Sequence, residues 1–287
     1  MADVLPDDVA TWIGSWSRGP AATSHAVLVR GPAAFLVVRS LVVARHGRNG
    51  AGMRDLDWDG VPNVRDLGGL PTSWSPTGVT TVGRVARGPR RELMSERAWV
   101  AARRWGLRSV VDLRCAREVG RREEDPPLHA GATDGVVVRS APTEDHEDAE
   151  FRAVCFPVLD SPVYWRESWR ILPGLVRAAL EAVAASRPGV LVHCSAGRDR
   201  TGMISALLLA NAGVPPSAVV DDYARSVRAM VGLGPLGAGG DARDVEAWLE
   251  QAGPVVAQAA EDVTSVLDGL GVGTPTRRRL RALLTSP

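Results

Sequence analysis

Cys194 and Arg200 lie six residues apart in the segment His-Cys-Ser-Ala-Gly-Arg-Asp-Arg-Thr-Gly, residues 193–202, and indicate covalent chemistry on an oxyanion. A thiolate is a strong nucleophile, but a free thiol with a pKa of about 8.5 is mostly protonated at neutral pH. A helix N-terminus and a nearby arginine both favour the thiolate. The planar guanidinium of Arg200 can also hold two phosphate oxygens at once.

The sequence around this pair predicts the elements that must position it. Residues 189–192 form an apolar run that predicts a strand, and residues 203–212 form one that predicts a helix. The N–H groups of the loop between them, with the positive end of the helix dipole, suit phosphate. The residues expected to line the phosphate are Ser195, Ala196, Gly197, Arg198, Asp199, Arg200 and Thr201.

Three small residues of the loop have more specific expected roles. Thr201 is expected to donate a hydroxyl hydrogen bond to the sulfur of Cys194, which would make the sulfur a better leaving group. Gly197 and Gly202 are expected to allow backbone conformations and close approaches that a side chain would block.

The loop and three outer motifs resemble one family. His-Cys-x5-Arg-Thr-Gly, with a basic residue and Asp before the Arg, resembles the phosphate-binding loop of a bacterial branch of the cysteine-dependent protein tyrosine phosphatases. Residues 63–69 resemble its opening motif, residues 111–114 with Glu118 its second, and residues 214–226 the helix after the catalytic one. The resemblance begins near Met53 and extends to the C-terminus. The Arg-Thr-Gly ending argues against rhodanese-like enzymes and arsenate reductases.

The resemblance implies an α/β fold, a three-layer domain with a central mixed sheet flanked by helices. It also implies phosphomonoester hydrolysis through a phosphocysteine intermediate, without a metal or other cofactor, so we expect the activity to survive chelation. Members of the branch act on phosphotyrosine, sometimes on phosphoserine or phosphothreonine, and some on phosphoinositides. The implied partner is therefore a phosphorylated protein or a phosphoinositide.

Two carboxylates are candidates for the general acid that protonates the leaving oxygen. Asp160 lies 34 positions before Cys194, between two prolines, and dual-specificity relatives keep their acid some thirty residues before the cysteine. Asp199 lies inside the loop, and its counterpart has been considered the acid in the bacterial branch. Asp160 is slightly preferred, and both remain candidates.

Two other functions remain open from the sequence. Arg198 adds positive charge inside the loop, as lipid phosphatases of this kind tend to have, so a phosphoinositide phosphatase is the first alternative. A phospho-ligand binding module without turnover is the second, and the presence of both Cys194 and Arg200 argues against it.

The composition of the chain bears on its binding partners and on its cellular location. The chain has 287 residues, 45% of them hydrophobic, and a net charge of +1, which gives no strong attraction to nucleic acid or membrane. Its three cysteines, Cys115, Cys155 and Cys194, lack the paired spacing of a disulfide framework or a zinc site. A reduced, cytoplasmic location is therefore predicted. The sequence does not indicate an oligomeric state.

The chain is predicted to divide into two parts. Residues 1–52 are expected to form an N-terminal extension that is dispensable for catalysis, with an extra strand pair on the domain edge as the alternative. The apolar run at residues 26–44 is too interrupted for a membrane span. Residues 53–287 are expected to form the phosphatase domain with C-terminal helices, in which the Gly-rich segment 230–240 permits a lid.

Three further expectations concern polar segments. Arg65 and Asp66 are expected to form a buried ion pair with each other. The charged run at residues 117–124 predicts a solvated helix face. The acidic segment 141–150, which contains His146, predicts a surface loop, and Cys115 is expected to be a packed thiol.

Overall fold

The computed structural model of the chain describes residues 54–233 and 242–286. Within them one sheet of five strands has the order β1-β2-β5-β3-β4, with β1 antiparallel to β2 and the other pairs parallel. The strands are β1 Arg65–Asp66, β2 Val85–Gly88, β3 Ser109–Asp112, β4 Val137–Ser140 and β5 Val190–His193. The predicted mixed sheet is confirmed.

Most of the remaining described residues are helical. The helices are α1 Glu96–Trp105, α2 Ala149–Cys155, α3 Tyr164–Ile171, α4 Pro173–Ala184, α5 Asp199–Asn211, α6 Pro216–Ala229, α7 Ala242–Glu261, α8 Val263–Gly269 and α9 Thr274–Thr285. Short 3-10 turns occur at Arg91–Leu93, Ala116–Glu118 and Phe156–Val158.

Helices cover both faces of the sheet. Successive strand residues point to opposite faces, so Val190 and Val192 of β5 face one core while Leu191 faces the other. Helix α1 packs in the core around Leu191, and α5 packs in the core around Val190 and Val192. The three-layer α/β arrangement predicted for the domain is therefore confirmed.

The central position of β5 brings several loops to one edge of the sheet. Strand β5 lies between β2 and β3, and His193 at its end is level with Gly88 and Asp112. Because these strands are parallel, the segments that follow them meet at the same edge. The predicted phosphate-binding loop follows His193 and therefore lies beside the segments that begin at residues 89 and 113.

Local signals predicted several elements well. Helix α1 has the predicted bounds: the Ser95 side chain accepts a hydrogen bond from the Ala98 N–H, and Gly106 takes the left-handed conformation that ends the helix. The predicted strands at residues 110–113, 136–139 and 189–192 each lie within one residue of β3, β4 and β5.

Other boundaries were wrong. Of the strand predicted over residues 79–87, only the end belongs to a strand, β2, while Val79 forms an isolated bridge with Pro71. Two separate helices were predicted over residues 241–251 and 255–267. The structure instead has one helix, α7, over Ala242–Glu261, which continues through Pro254.

Some predictions fall outside the described residues. The extension at residues 1–52 lies wholly outside them, and the proposed lid segment lies outside them from residue 234. Among residues 54–233 and 242–286, no helix has both the length and the apolar character that crossing a bilayer requires.

Candidate active site

Two glycines allow the loop between β5 and α5 to close tightly around buried Cys194, which is 3% exposed. Gly197 has a φ of +72°, and a Cβ there would lie 2.4 Å from the Gly88 carbonyl. A Cβ on Gly202 would lie 2.8 Å from the Tyr223 ring. Both positions therefore require glycine, as predicted.

The carbonyl groups of the loop are held from outside by two side chains. The Asn63 side-chain amide donates to the carbonyls of Ala196 and Gly197, at 3.1 Å each. Arg87 donates to the carbonyls of Gly197, at 2.8 Å, and Arg198, at 3.3 Å. The opening motif that contains Asn63 thus positions the loop directly.

The inner side of the loop presents N–H groups. In a trans peptide the C=O and N–H point in opposite directions, so carbonyls fixed outward turn the following N–H groups inward. The Ser195 carbonyl is also held, by the Arg90 N–H at 3.0 Å. No described residue accepts a hydrogen bond from the N–H groups of residues 195–198. The loop is therefore a cradle of donors of the kind that binds an oxyanion.

Asp222, on α6, is a buried anchor for three arginines. Its carboxylate accepts hydrogen bonds from Arg65 at 2.9 Å, from Arg87 at 2.6 Å, and from Arg54. Burial alone would raise the pKa of Asp222, but Arg65 and Arg87 outweigh burial and hold that pKa well below its ordinary value. Asp222 therefore fixes Arg87, which in turn holds the loop.

The predicted ion pair between Arg65 and Asp66 is wrong. Arg65 pairs with Asp222, while Asp66 accepts hydrogen bonds from two backbone N–H groups and from the Trp105 indole at 2.8 Å. Neighbouring residues of a strand point to opposite faces of the sheet, which separates the two side chains.

Arg200 is held by a carboxylate that sequence reasoning did not place in the site. Glu118 accepts two hydrogen bonds from the guanidinium, at 2.5 and 2.7 Å, and others from the Ser195 hydroxyl and the Cys115 N–H. Burial alone would raise the pKa of Glu118. The hydrogen bonds from Arg200 outweigh the effect of burial and lower this pKa to about 2. The predicted helix is wrong, since Ala116–Glu118 is a 3-10 turn. The run at residues 117–124 is exposed as predicted except at Glu118, which turns toward the loop.

A second carboxylate, Glu144, lies 3.5 Å from the Arg200 guanidinium. Burial disfavours the charge on Arg200, but Glu144, Glu118 and Cys194 outweigh burial and raise the pKa of Arg200 well above its ordinary value. Glu144 is buried, and His146 is 13% exposed at its side chain, so the predicted surface loop is wrong at both positions. Arg200 is thus fixed as a cation beside the loop.

His193, immediately before the cysteine, is fully buried. Its Nδ1 donates to the Cys194 carbonyl at 3.0 Å, and its Nε2 lies 3.6 Å from Asp112. Burial lowers the pKa of His193 to about 4, so the ring is neutral at pH 7. The Asp112 carboxylate is held in turn by Arg114, at 2.7 Å. The second motif therefore supports the strand end from which Cys194 projects.

The two candidate acids differ in their contacts. Asp199 accepts hydrogen bonds on both oxygens, from the Tyr223 hydroxyl at 2.7 Å and the Arg198 Nε at 2.9 Å. Asp160 is exposed, and Arg198 donates to its backbone carbonyl at 3.2 Å. Arg198 therefore connects the segment that carries Asp160 to the loop.

The hydrogen bond expected from Thr201 is not formed. Its hydroxyl is buried and has no hydrogen-bond partner among the described residues, the Cys194 sulfur included. Thr201 lies buried in the first turn of α5.

A buried thiol after a strand end, a cradle of loop N–H groups and a fixed arginine are the parts of a cysteine-dependent phosphatase site. A family model described as "Tyrosine phosphatase family" matches residues 56–285. The chain belongs to the tyrosine phosphatase family.

Two curated proteins and one solved structure are similar to this chain. The chain is 30% identical over 192 residues to the "Triple specificity protein phosphatase PtpB" of Mycobacterium tuberculosis, which covers 58% of this chain and 67% of that protein. It is also 30% identical over 221 residues to a putative tyrosine-protein phosphatase of Cupriavidus necator, covering 73% of this chain and 71% of that protein. A crystal structure of P. aeruginosa TpbA in complex with pTyr matches 67% of this chain and 88% of that one, at 18% identity and a TM-score of 0.31.

Proposed function

We propose that this protein hydrolyses phosphotyrosine in proteins through a phosphocysteine intermediate. The Cys194 thiolate attacks phosphorus, a sulfur–phosphorus bond forms, and the ester oxygen leaves with a proton from a general acid. The loop N–H groups of residues 195–200 and the Arg200 guanidinium hold the three equatorial oxygens. The observation that carries the proposal is Arg200, fixed by Glu118 at 2.5 and 2.7 Å beside the loop.

The second half of the reaction frees the enzyme. The carboxylate left by proton transfer takes a proton from water, and the water oxygen attacks phosphorus. The sulfur–phosphorus bond breaks, the thiolate of Cys194 is regenerated, and inorganic phosphate leaves. A catalytic thiol needs a reducing setting, so we place the protein in the cytoplasm.

We assign the general acid to Asp160 and a positioning role to Asp199. Both oxygens of Asp199 are engaged, in holding Arg198 and Tyr223. Asp160 is exposed, on the segment that Arg198 holds to the loop, so its side chain can approach a substrate oxygen.

Comparing aryl phosphates with good and poor leaving groups tests the assignment. We expect Asp160→Asn to lower kcat by about 10²-fold or more on phenyl phosphate, because its leaving oxygen needs a proton. The kcat of the same variant should fall much less on dinitrophenyl phosphate, because the leaving group of that ester departs as an anion and needs no proton. Steady-state rates on both esters give the measurement.

Asp199→Asn is the matched control for the acid assignment. It should lower both rates by a similar factor, because it loosens Arg198 without removing the proton donor. If Asp199→Asn showed the leaving-group dependence and Asp160→Asn did not, the roles would be exchanged.

Phosphotyrosine is favoured over phosphoinositide by the state of Arg198. The phosphoinositide alternative rested on the positive charge that Arg198 adds inside the loop, but the Arg198 guanidinium pairs with Asp199 at 2.9 Å and its side chain is 9% exposed. The pair leaves little uncompensated charge for an inositol headgroup.

Substrate preference is tested by comparing kcat/KM on phosphotyrosyl peptides, phosphoseryl peptides and a soluble phosphatidylinositol phosphate. We expect the phosphotyrosyl peptide to be preferred by about tenfold or more, a difference that pocket contacts alone supply. A higher kcat/KM on the inositol lipid would contradict the proposal. Binding of the phosphotyrosyl peptide without release of alcohol or phosphate would support a binding module.

A further inference from the structure

Three metal-binding side chains meet beside Arg200 and have no part in the proposed chemistry as a group. Cys115, Glu118 and His146 each offer a ligand atom, and these atoms lie within 4.8 Å of one another. Cys115 is the most buried of the three, whereas Glu118 and His146 are partly exposed, so a small ion can approach from their side. Their spacing along the chain did not indicate a zinc site, because His146 comes from the segment after β4.

We propose that Cys115, Glu118 and His146 form an inhibitory site for a divalent cation of the zinc class. Zinc prefers tetrahedral sites with sulfur at about 2.3 Å, imidazole nitrogen at about 2.0 Å and carboxylate oxygen at about 2.1 Å. Ligand atoms less than 4.8 Å apart need only side-chain adjustments to reach those distances. A thiolate and a carboxylate also supply two negative charges.

The contacts around the cluster support a bound cation. The Cys115 thiol contacts the Glu144 backbone carbonyl at 3.1 Å and the His146 side chain, and a thiol is a weak hydrogen-bonding group that a cation can displace. The His146 Nε2 lies 2.9 Å from the Glu144 carboxylate, the kind of partner that orients metal-binding imidazoles. The other ring nitrogen contacts Arg117, whose side chain is 53% exposed and also pairs with exposed Glu147 at 3.5 Å, so water can replace its contact with the ring.

A cation here would act on the active site through Glu118. Both Glu118 oxygens are bound to the Arg200 guanidinium, so a metal must take at least one of them. The metal also brings positive charge toward Arg200. When Glu118 binds the metal as well, fewer hydrogen bonds hold the Arg200 guanidinium. Arg200 then holds phosphate oxygens less well, and kcat/KM falls. This consequence rests on the proposed function, whereas metal binding itself does not.

The binding arm uses the full chain carrying Cys194→Ser, which removes the other reactive thiol. Calorimetric titration with ZnCl2 should show one zinc per chain. Adding Cys115→Ser or His146→Gln should weaken binding by about tenfold or more, because each removes a ligand. Cys155→Ala and His129→Gln are matched controls that remove a thiol and an imidazole elsewhere, and they should leave binding unchanged.

The activity arm uses chains that retain Cys194. ZnCl2 should inhibit aryl phosphate hydrolysis, EDTA should restore it, and Cys115→Ser and His146→Gln should each raise the inhibiting concentration by about tenfold. Inhibition unchanged in both variants, or loss of zinc binding on Cys194→Ser alone, would overturn the proposal. A chain that binds zinc through the cluster but hydrolyses no phosphate would instead contradict only the proposed function.

Discussion

Asp222→Asn is expected to destabilise the folded protein by about 3–5 kcal/mol, the cost of leaving buried charges without their partner. The substitution keeps the shape of the side chain but removes the charge that three arginines share. Arg65 and Arg87 are 2% and 1% exposed at their side chains, so water cannot replace the lost carboxylate. Denaturant unfolding of the variant and the parent measures the difference.

The same substitution should also lower kcat/KM. Asp222 fixes Arg87, and Arg87 holds the carbonyls of Gly197 and Arg198 on the outside of the loop. A displacement of about 1 Å in a catalytic group can cost about 10²-fold in rate, so we expect a loss of that size. The assay is run below the denaturation midpoint, where the variant is folded.

Asp221→Asn is the matched control for Asp222→Asn. Asp221 precedes Asp222 on α6 but is exposed, so its loss should change stability by no more than about 0.5 kcal/mol. Equal unfolding curves for the two variants would show that Asp222 does not anchor the arginines.

The parts of the site that the sequence predicted are those encoded locally. Cys194, Arg200 and both glycines fall within ten consecutive residues, and the flanking apolar runs predict the strand and helix that hold them. Helix α1 was also predicted correctly, because its cap at Ser95 and its stop at Gly106 adjoin it.

The parts that the sequence did not predict depend on distant pairing. Glu118 lies 82 residues before Arg200, and Asp222 lies 157 residues after Arg65, so no local pattern connects either pair. Glu118 and Asp222 were both present in motifs that resemble the family, which is the signal that could have placed them in the site. A run of charges predicts solvation on average, but one member can turn inward when a buried arginine requires a partner.

Cys194→Ser is expected to lower kcat on aryl phosphates by about 10⁴-fold or more, comparable to removing the nucleophile of other covalent enzymes. A serine hydroxyl in the same place is not ionised, and none of the residues that the structure describes is hydrogen-bonded to the Cys194 sulfur to act as a base. The Kd for phosphate should stay within about tenfold of the parent value, because the loop N–H groups and Arg200 that hold the oxygens are unchanged. Steady-state kinetics and calorimetric titration with phosphate measure the two effects.

Cys155→Ala separates loss of the nucleophile from loss of any thiol. Burial raises the pKa of Cys155 to about 11, so this thiol stays protonated and its removal should leave kcat nearly unchanged. Rapid acid quenching should trap a phosphoryl group on the parent and on Cys155→Ala, but none on Cys194→Ser. Turnover by Cys194→Ser at the parent rate would exclude a phosphocysteine intermediate, since the only bond that defines it could not form.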